Sequence, residues 1–320
     1  MKNVQRRTIR RSAIAVVASA LLVLGSDALV SASAHATTAT STSKSQATSH
    51  AMRPFATGYV LVGSDGGVFV FGQSGGYRGS LPGLNIHVNN VVGIVPSYDY
   101  GGYFLVGSDG GVFSFGDTNF EGSLPGLGVA VNNIVGIVPS SDDKGYFLVG
   151  RDGGVFAFGD ATYEGSLPGI AISANDISSI ASTPDNAGYW VLEQTGKVFA
   201  FGSASVLPSK NFSGTYADWG GAPFVSIAST PTGQGYWLLS HLGNVINLGD
   251  AKLELNQRTQ VTHDFDSNGT DVSLVPTSDG LGYYIIRSDG TVVTFGDAGY
   301  SGDLPDLGVH VTNIVGASPT

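Results

Sequence analysis

Residues 102–140 read GYFLVGSDGGVFSFGDTNFEGSLPGLGVAVNNIVGIVPS, and this stretch decides the fold. Residues 103–106 are aromatic and branched, Ser108-Asp109-Gly110-Gly111 interrupts them, and residues 112–115 repeat the same chemistry. Asp-Gly between two such runs signals a hairpin, because glycine accepts the positive φ that a primed turn demands. A further short strand is expected around residues 120–124, ended by Pro125-Gly126, and another over residues 133–138.

The unit recurs. Gly-Tyr opens six segments, at Gly58, Gly102, Gly145, Gly188, Gly235 and Gly282, spaced 44, 43, 43, 47 and 47 residues apart. Glycine holds the second turn position in every copy (Gly66, Gly110, Gly153, Gly196, Gly243, Gly290), even where Asp gives way to Thr195 or Leu242. Backbone geometry, rather than a carboxylate, is what that position needs. Four short strands per roughly 43 residues is the pattern of a β-propeller blade.

The first copy starts in mid-blade, with no inner strand ahead of it. At the other end, Val311-Thr312-Asn313-Ile314-Val315-Gly316 matches Val131-Asn132-Asn133-Ile134-Val135-Gly136, and the chain stops soon after. The expectation is therefore an all-β, six-bladed β-propeller, closed by pairing of the C-terminal inner strand with the first blade. Inner strands are expected from Val91, Ile134, Ile177, Phe224, Asp271 and Ile314. An open or domain-swapped array is the rival arrangement.

Ahead of the repeats, Lys2, Arg6, Arg7, Arg10 and Arg11 precede an apolar run over residues 13–24, and Ala34-His35-Ala36 offers a small-x-small cleavage site. That order predicts a signal peptide over residues 1–36. The run is too short for the ~20 residues that cross a bilayer, so no transmembrane anchor is expected. Arg6-Arg7 leaves the Sec and twin-arginine routes both open. Residues 37–57, rich in Ser, Thr and Ala, read as a flexible linker, and residues 58–320 as the propeller.

Composition narrows the chemistry. The 320 residues include 47 Gly and no Cys, which removes disulfide scaffolds, thiolate catalysis and Cys-ligated metals. The net charge is −10. Losing the leader takes five of the 15 basic residues and one of the 25 acids, leaving an exported chain at −14. Nucleic acid is a poor partner for such a surface.

The repeat resembles the GYWLVASDGGVFSFGDA-type repeats of secreted proteins from actinobacteria and their relatives. The resemblance covers residues 58–320 and implies a propeller, sometimes found beside secreted hydrolase domains; no catalytic domain is expected within residues 1–320. The tryptophan-aspartate and kelch signatures are not matched.

Inner strands of the type NVVGIVP and DISSIAS are small or apolar and suit packing rather than catalysis. His87, His241, His263 and His310 fall in no metal-ligand spacing, and His87 and His310 read as solvent-facing. Asp117, Asp160, Asp250 and Asp297 recur after Phe-Gly or Leu-Gly and read as turn acceptors.

The fourth and fifth units, each 47 residues, lose the GSLPGL segment and hold the candidate sites. In the fourth, Tyr216, Asp218 and Trp219 place aromatics beside an acid, which suits stacking on a sugar while bonding its hydroxyls; Trp219 as a core cap is the plainer reading. In the fifth, Asp264, Asp266 and Asn268, with Thr270 and Asp271, resemble the first half of a calcium loop, although an ordinary turn uses the same residues. Asp271 stands where the other units carry Val, Ile or Phe.

These readings favour a secreted, non-catalytic binding or surface-interaction module for a glycan or cell-envelope component. A structural envelope or matrix protein and a secreted propeller hydrolase or lyase are the alternatives.

Overall fold

A computed structural model of the chain describes residues 58–72, 76–140, 142–207, 221–252 and 269–319. The expected signal peptide and linker, residues 1–57, lie outside the described residues.

The described residues form six three-stranded antiparallel sheets. The first joins β1 (Gly58–Gly63) and β2 (Val68–Gly72) to β18 (Ile314–Pro319), in the order β18-β1-β2. The second runs β3 (Val91–Pro96), β4 (Tyr103–Gly107), β5 (Val112–Phe115), and the third β6 (Ile134–Pro139), β7 (Gly145–Gly150), β8 (Val155–Gly159). The fourth is β9 (Ile177–Ser182), β10 (Gly188–Glu193), β11 (Val198–Gly202), and the fifth β12 (Phe224–Ser229), β13 (Gly235–Ser240), β14 (Val245–Gly249). The sixth is β15 (Asp271–Pro276), β16 (Gly282–Arg287), β17 (Val292–Gly296). All six inner strands begin at the residues expected from the repeat.

Two local expectations are corrected. The hairpin is not a primed turn: Ser108 and Asp109 keep negative φ, and only Gly110 enters the left-handed region, at φ 76. Gly110 N–H donates to Gly107 O and Gly107 N–H to Gly111 O, both at 2.8 Å. This is a three-residue loop with glycine in the bulge position, so the demand for glycine holds while the turn type changes. Nor is the segment at residues 120–124 a strand. Pro125 has no N–H to offer a ladder, and Leu124 takes helical angles (φ −61, ψ −44) ahead of a 3-10 turn over Pro125–Leu127. Helical angles before proline are disfavoured. Here the cost is offset because Leu124 is buried and its N–H bonds Gly110 O at 3.1 Å. Leu81, Leu167 and Leu304 repeat the arrangement.

The core is distributed between sheets rather than within one layer. Each of six hydrophobic clusters is built from two sheets that follow one another, as in Phe104, Leu124, Tyr146 and Phe158 between the second and third. The cluster containing Tyr59, Phe71, Tyr284 and Ile286 joins the sixth sheet to the first. The middle-strand tyrosines bridge the same boundaries. Tyr103, Tyr146 and Tyr189 donate their hydroxyls to Gly79 O, Gly122 O and Gly165 O of the preceding connection, and Tyr59 does so to Gly302 O, 243 residues away. β18 pairs with β1 with Val60 opposite Ser318 and Gly63 opposite Ile314.

In the two long units a tryptophan adds an anchor for the connection of its own unit. Trp190 Nε1 donates to Ser205 O at 2.9 Å and Trp237 Nε1 to Lys252 O at 2.6 Å, each indole being buried.

Candidate functional site

Of the residues singled out in the sequence, Tyr216, Asp218, Trp219, Asp264, Asp266 and Asn268 lie outside the described residues, as does His263. Thr270 and Asp271 are described. Asp271 opens β15 and sits in register opposite Arg287, the last residue of β16. The equivalent pairs in the second and third sheets are Val91 with Gly107 and Ile134 with Gly150. An ion pair thus replaces a hydrophobe and a glycine. Arg287 Nε lies 3.5 Å from Asp271 Oδ1 with both side chains buried, and Arg287 Nη2 donates to Gly269 O. Burial pushes the Asp271 carboxyl up to about 6; the Arg287 guanidinium opposes this and Asp289 adds to it.

The pair ties the end of the long connection to the sheet. Thr270 completes the anchor, its N–H donating to Ser288 Oγ at 3.0 Å and its Oγ1 lying 3.3 Å from the same oxygen. Asp271 N–H reaches His241 O at 3.4 Å in the turn between β13 and β14. Arg287 was not singled out from sequence. Its signal was there: it departs from the repeat at the position opposite the departure at Asp271. Among the described residues, no group of three or more His, Asp or Glu side chains is placed to hold a metal ion.

The six inner strands carry one ionisable side chain, Asp271. Their third positions are Gly93, Gly136, Ser179, Ser226, Ser273 and Gly316. Small residues are required there because consecutive inner strands approach closely: Ser179 Oγ accepts Ile227 N–H at 3.4 Å and Ser226 Oγ accepts Leu274 N–H at 3.2 Å. The lining packs by backbone proximity.

Two of the recurring aspartates, Asp250 and Asp297, bond across to the loop that joins the inner and middle strands of the same sheet. Asp250 accepts from Thr230 Oγ1 at 2.9 Å and from Thr232 Oγ1, and Asp297 accepts from Thr277 Oγ1 at 3.3 Å. The Lys144 ammonium at 2.8 Å holds the Asp142 carboxyl down at about 2. His87 and His310 are exposed.

A shallow depression lies where the first sheet has no turn joining its inner and middle strands, since those strands come from opposite ends of the chain. Val60, Arg78, Pro96, Tyr100, Tyr103 and Pro319 line it, with space on the scale of one water molecule. Tyr100 stands beside it at φ 62, a strained angle for an aromatic residue.

Large exposed apolar side chains gather on the connections. Tyr77 and Leu84, Phe120 and Leu127, and Tyr163 and Ile170 occupy equivalent places on three of them, each side chain being 44% exposed or more. In the fourth such connection Leu307 is exposed and Tyr300 half-buried. The sequence signal for this series is an aromatic three residues before each Ser-Leu-Pro or Asp-Leu-Pro.

No protein-family model matches the chain, and no curated protein matches it significantly. Solved structures do. A β-propeller chain from the crystal structure of a nidogen/laminin complex superposes with a TM-score of 0.52 at 9% identity, covering 82% of this chain and 97% of that one. The six sheets are therefore the blades of a β-propeller fold. Among the described residues no helix is long and apolar enough to cross a membrane.

Proposed function

We propose that the chain is exported, that its blades close into a six-membered ring, and that the ring is a non-catalytic binding module for a glycan or another cell-envelope component. Closure is supported by the pairing of β18 with β1 and by the Tyr59 bond to Gly302, which repeats at the chain ends the contact made between internal blades. The binding reading is carried by one observation: large exposed apolar side chains from Tyr77 to Leu307 stand on connections, while the sheets bury theirs. Apolar surface collected on the loops of a rigid scaffold marks a partner surface. The propeller neighbour comes from a protein complex, which accords with a binding role.

The test is a binding screen of residues 37–320 against cell-wall fractions and purified glycans. Saturable retention on at least one fraction is expected. Concentration-dependent self-association with no retention on any fraction would replace this reading with a structural matrix role.

A further inference from the structure

We propose that the four connections carrying Leu81, Leu124, Leu167 and Leu304 are a multivalent arc of platforms for a neutral polysaccharide, an inference that rests on the binding-module reading and gives it a place and a ligand class. Each platform pairs an aromatic ring with an exposed aliphatic side chain seven residues on, and in three of the four the ring is held at its tip. Tyr77 Oη lies 2.7 Å from Ser80 Oγ, and Tyr163 Oη donates to Ser166 Oγ at 2.9 Å. Tyr300 Oη donates to Asp306 Oδ2 at 2.5 Å, the residue before Leu307. A Cβ on Gly83 would stand 3.2 Å from Tyr77 Oη, and one on Gly169 3.3 Å from Tyr163 Oη, so the ring tip reaches the residue next to Leu84 or Ile170. Phe120 supplies the ring without the hydroxyl. The exposed rings of Tyr77 and Tyr163, already fixed by these bonds, lose little freedom on binding.

The residues beside the rings decide the chemistry. Glu121 follows Phe120, Glu164 follows Tyr163 and Ser301 follows Tyr300, giving three of the four rings a hydrogen-bond acceptor in the next residue, while Arg78 puts a donor beside Tyr77. A pyranose offers an apolar face and a rim of hydroxyl donors, which fits that pair. With a net charge of −10 the chain repels anionic polymers and a second copy of itself. One ring and one aliphatic side chain fall far short of the ~800 Å² that each partner buries in a stable protein interface. Affinity must come from repetition, and a polymer of identical units is the ligand that repeats. The platforms follow β17, β2, β5 and β8, which belong to consecutive blades when β18 joins the last to the first.

The experiment measures retention of residues 37–320 on insoluble cellulose, chitin and β-1,3-glucan. Two combined variants are compared with the parent: Tyr77→Ser, Phe120→Ser, Tyr163→Ser and Tyr300→Ser together, and Leu84→Ser, Leu127→Ser, Ile170→Ser and Leu307→Ser together. The second set removes side chains that are more than half exposed, so its folding is safe if the first set melts early. The parent is expected to bind at least one polymer, each single ring substitution to weaken binding several-fold, and either combined variant to weaken it by about 100-fold or more. Binding by the leucine and isoleucine variant at parental strength overturns the inference. Retention of the parent on protein-bearing wall fractions but on no neutral polymer also overturns it, while leaving the binding module standing. Retention on nothing overturns both.

Discussion

Gly110 and Gly128 both have positive φ, 76 and 70, yet they answer to different forces. A Cβ on Gly110 would lie 2.6 Å from Leu124 Cδ1 and 2.9 Å from Leu124 Cβ, whereas nothing stands within 4 Å of one on Gly128. Gly128→Ala should therefore cost only the left-handed preference, about 1 kcal/mol. The third unit already carries Ala171 at the matching position, at φ 59. Gly110→Ala adds displacement of a buried leucine and should cost about 3 kcal/mol. Urea unfolding of the two variants measures the difference, and equal midpoints would remove packing from the account. The glycine requirement was legible because all six units agree on it. The leucine above it was not, since that contact depends on the 3-10 turn that replaced an expected strand.

At the scale of the element, the sixth blade departs from its fellows through Asp271 and Arg287. A buried ion pair is not a secure source of stability, because desolvation of both charges offsets their attraction. Asp271→Ile alone leaves Arg287 buried without its carboxylate and should destabilise by about 3–5 kcal/mol. Asp271→Ile with Arg287→Gly installs the pair found at Ile134 and Gly150, and should restore stability to within about 1 kcal/mol of the parent or above it. Thermal melts of the single and double variants decide the matter: a double variant as weak as the single would mean that the ion pair does more than fill its site. Sequence marked Asp271 as exceptional and suggested a calcium ligand. The pairing register put Arg287 opposite it, and register depends on the bulge between Asp271 and Ser273, which no motif announces.

For the molecule as a whole, the boundaries between blades are where stability resides. Burial raises the phenols of Tyr59, Tyr103, Tyr146, Tyr189 and Tyr236 above their ordinary value of 10.0, that of Tyr146 to about 12. A group whose folded pKa is raised stabilises fully below its unfolded pKa and loses that contribution as pH rises through the folded value. Stability should therefore hold up to about pH 10 and fall steeply toward pH 12. Absorbance of tyrosinate at 295 nm and loss of strand circular dichroism should rise together. Ionisation well ahead of unfolding would show the phenols to be accessible. Deleting residues 309–320 removes β18 and leaves the inner edge of β1 unpaired, and should lower the melting midpoint by on the order of 10 °C or more. An unchanged midpoint would sink the proposed closure.

By itself the sequence determined the number of units, the start of every inner strand and the glycine in every hairpin, because each follows from local backbone chemistry repeated six times. It also placed the partner for the first blade at residues 314–319, since the repeat was cut in mid-unit. Tertiary structure alone decided that Leu124 would turn rather than extend, that Asp271 would meet Arg287, and that Tyr77, Tyr163 and Tyr300 would be held at their tips on the connections. Those outcomes depend on which side chains come together across strands and blades. Periodicity along a chain records the faces a residue can take, whereas the neighbour that occupies each face is chosen only when the sheets pack.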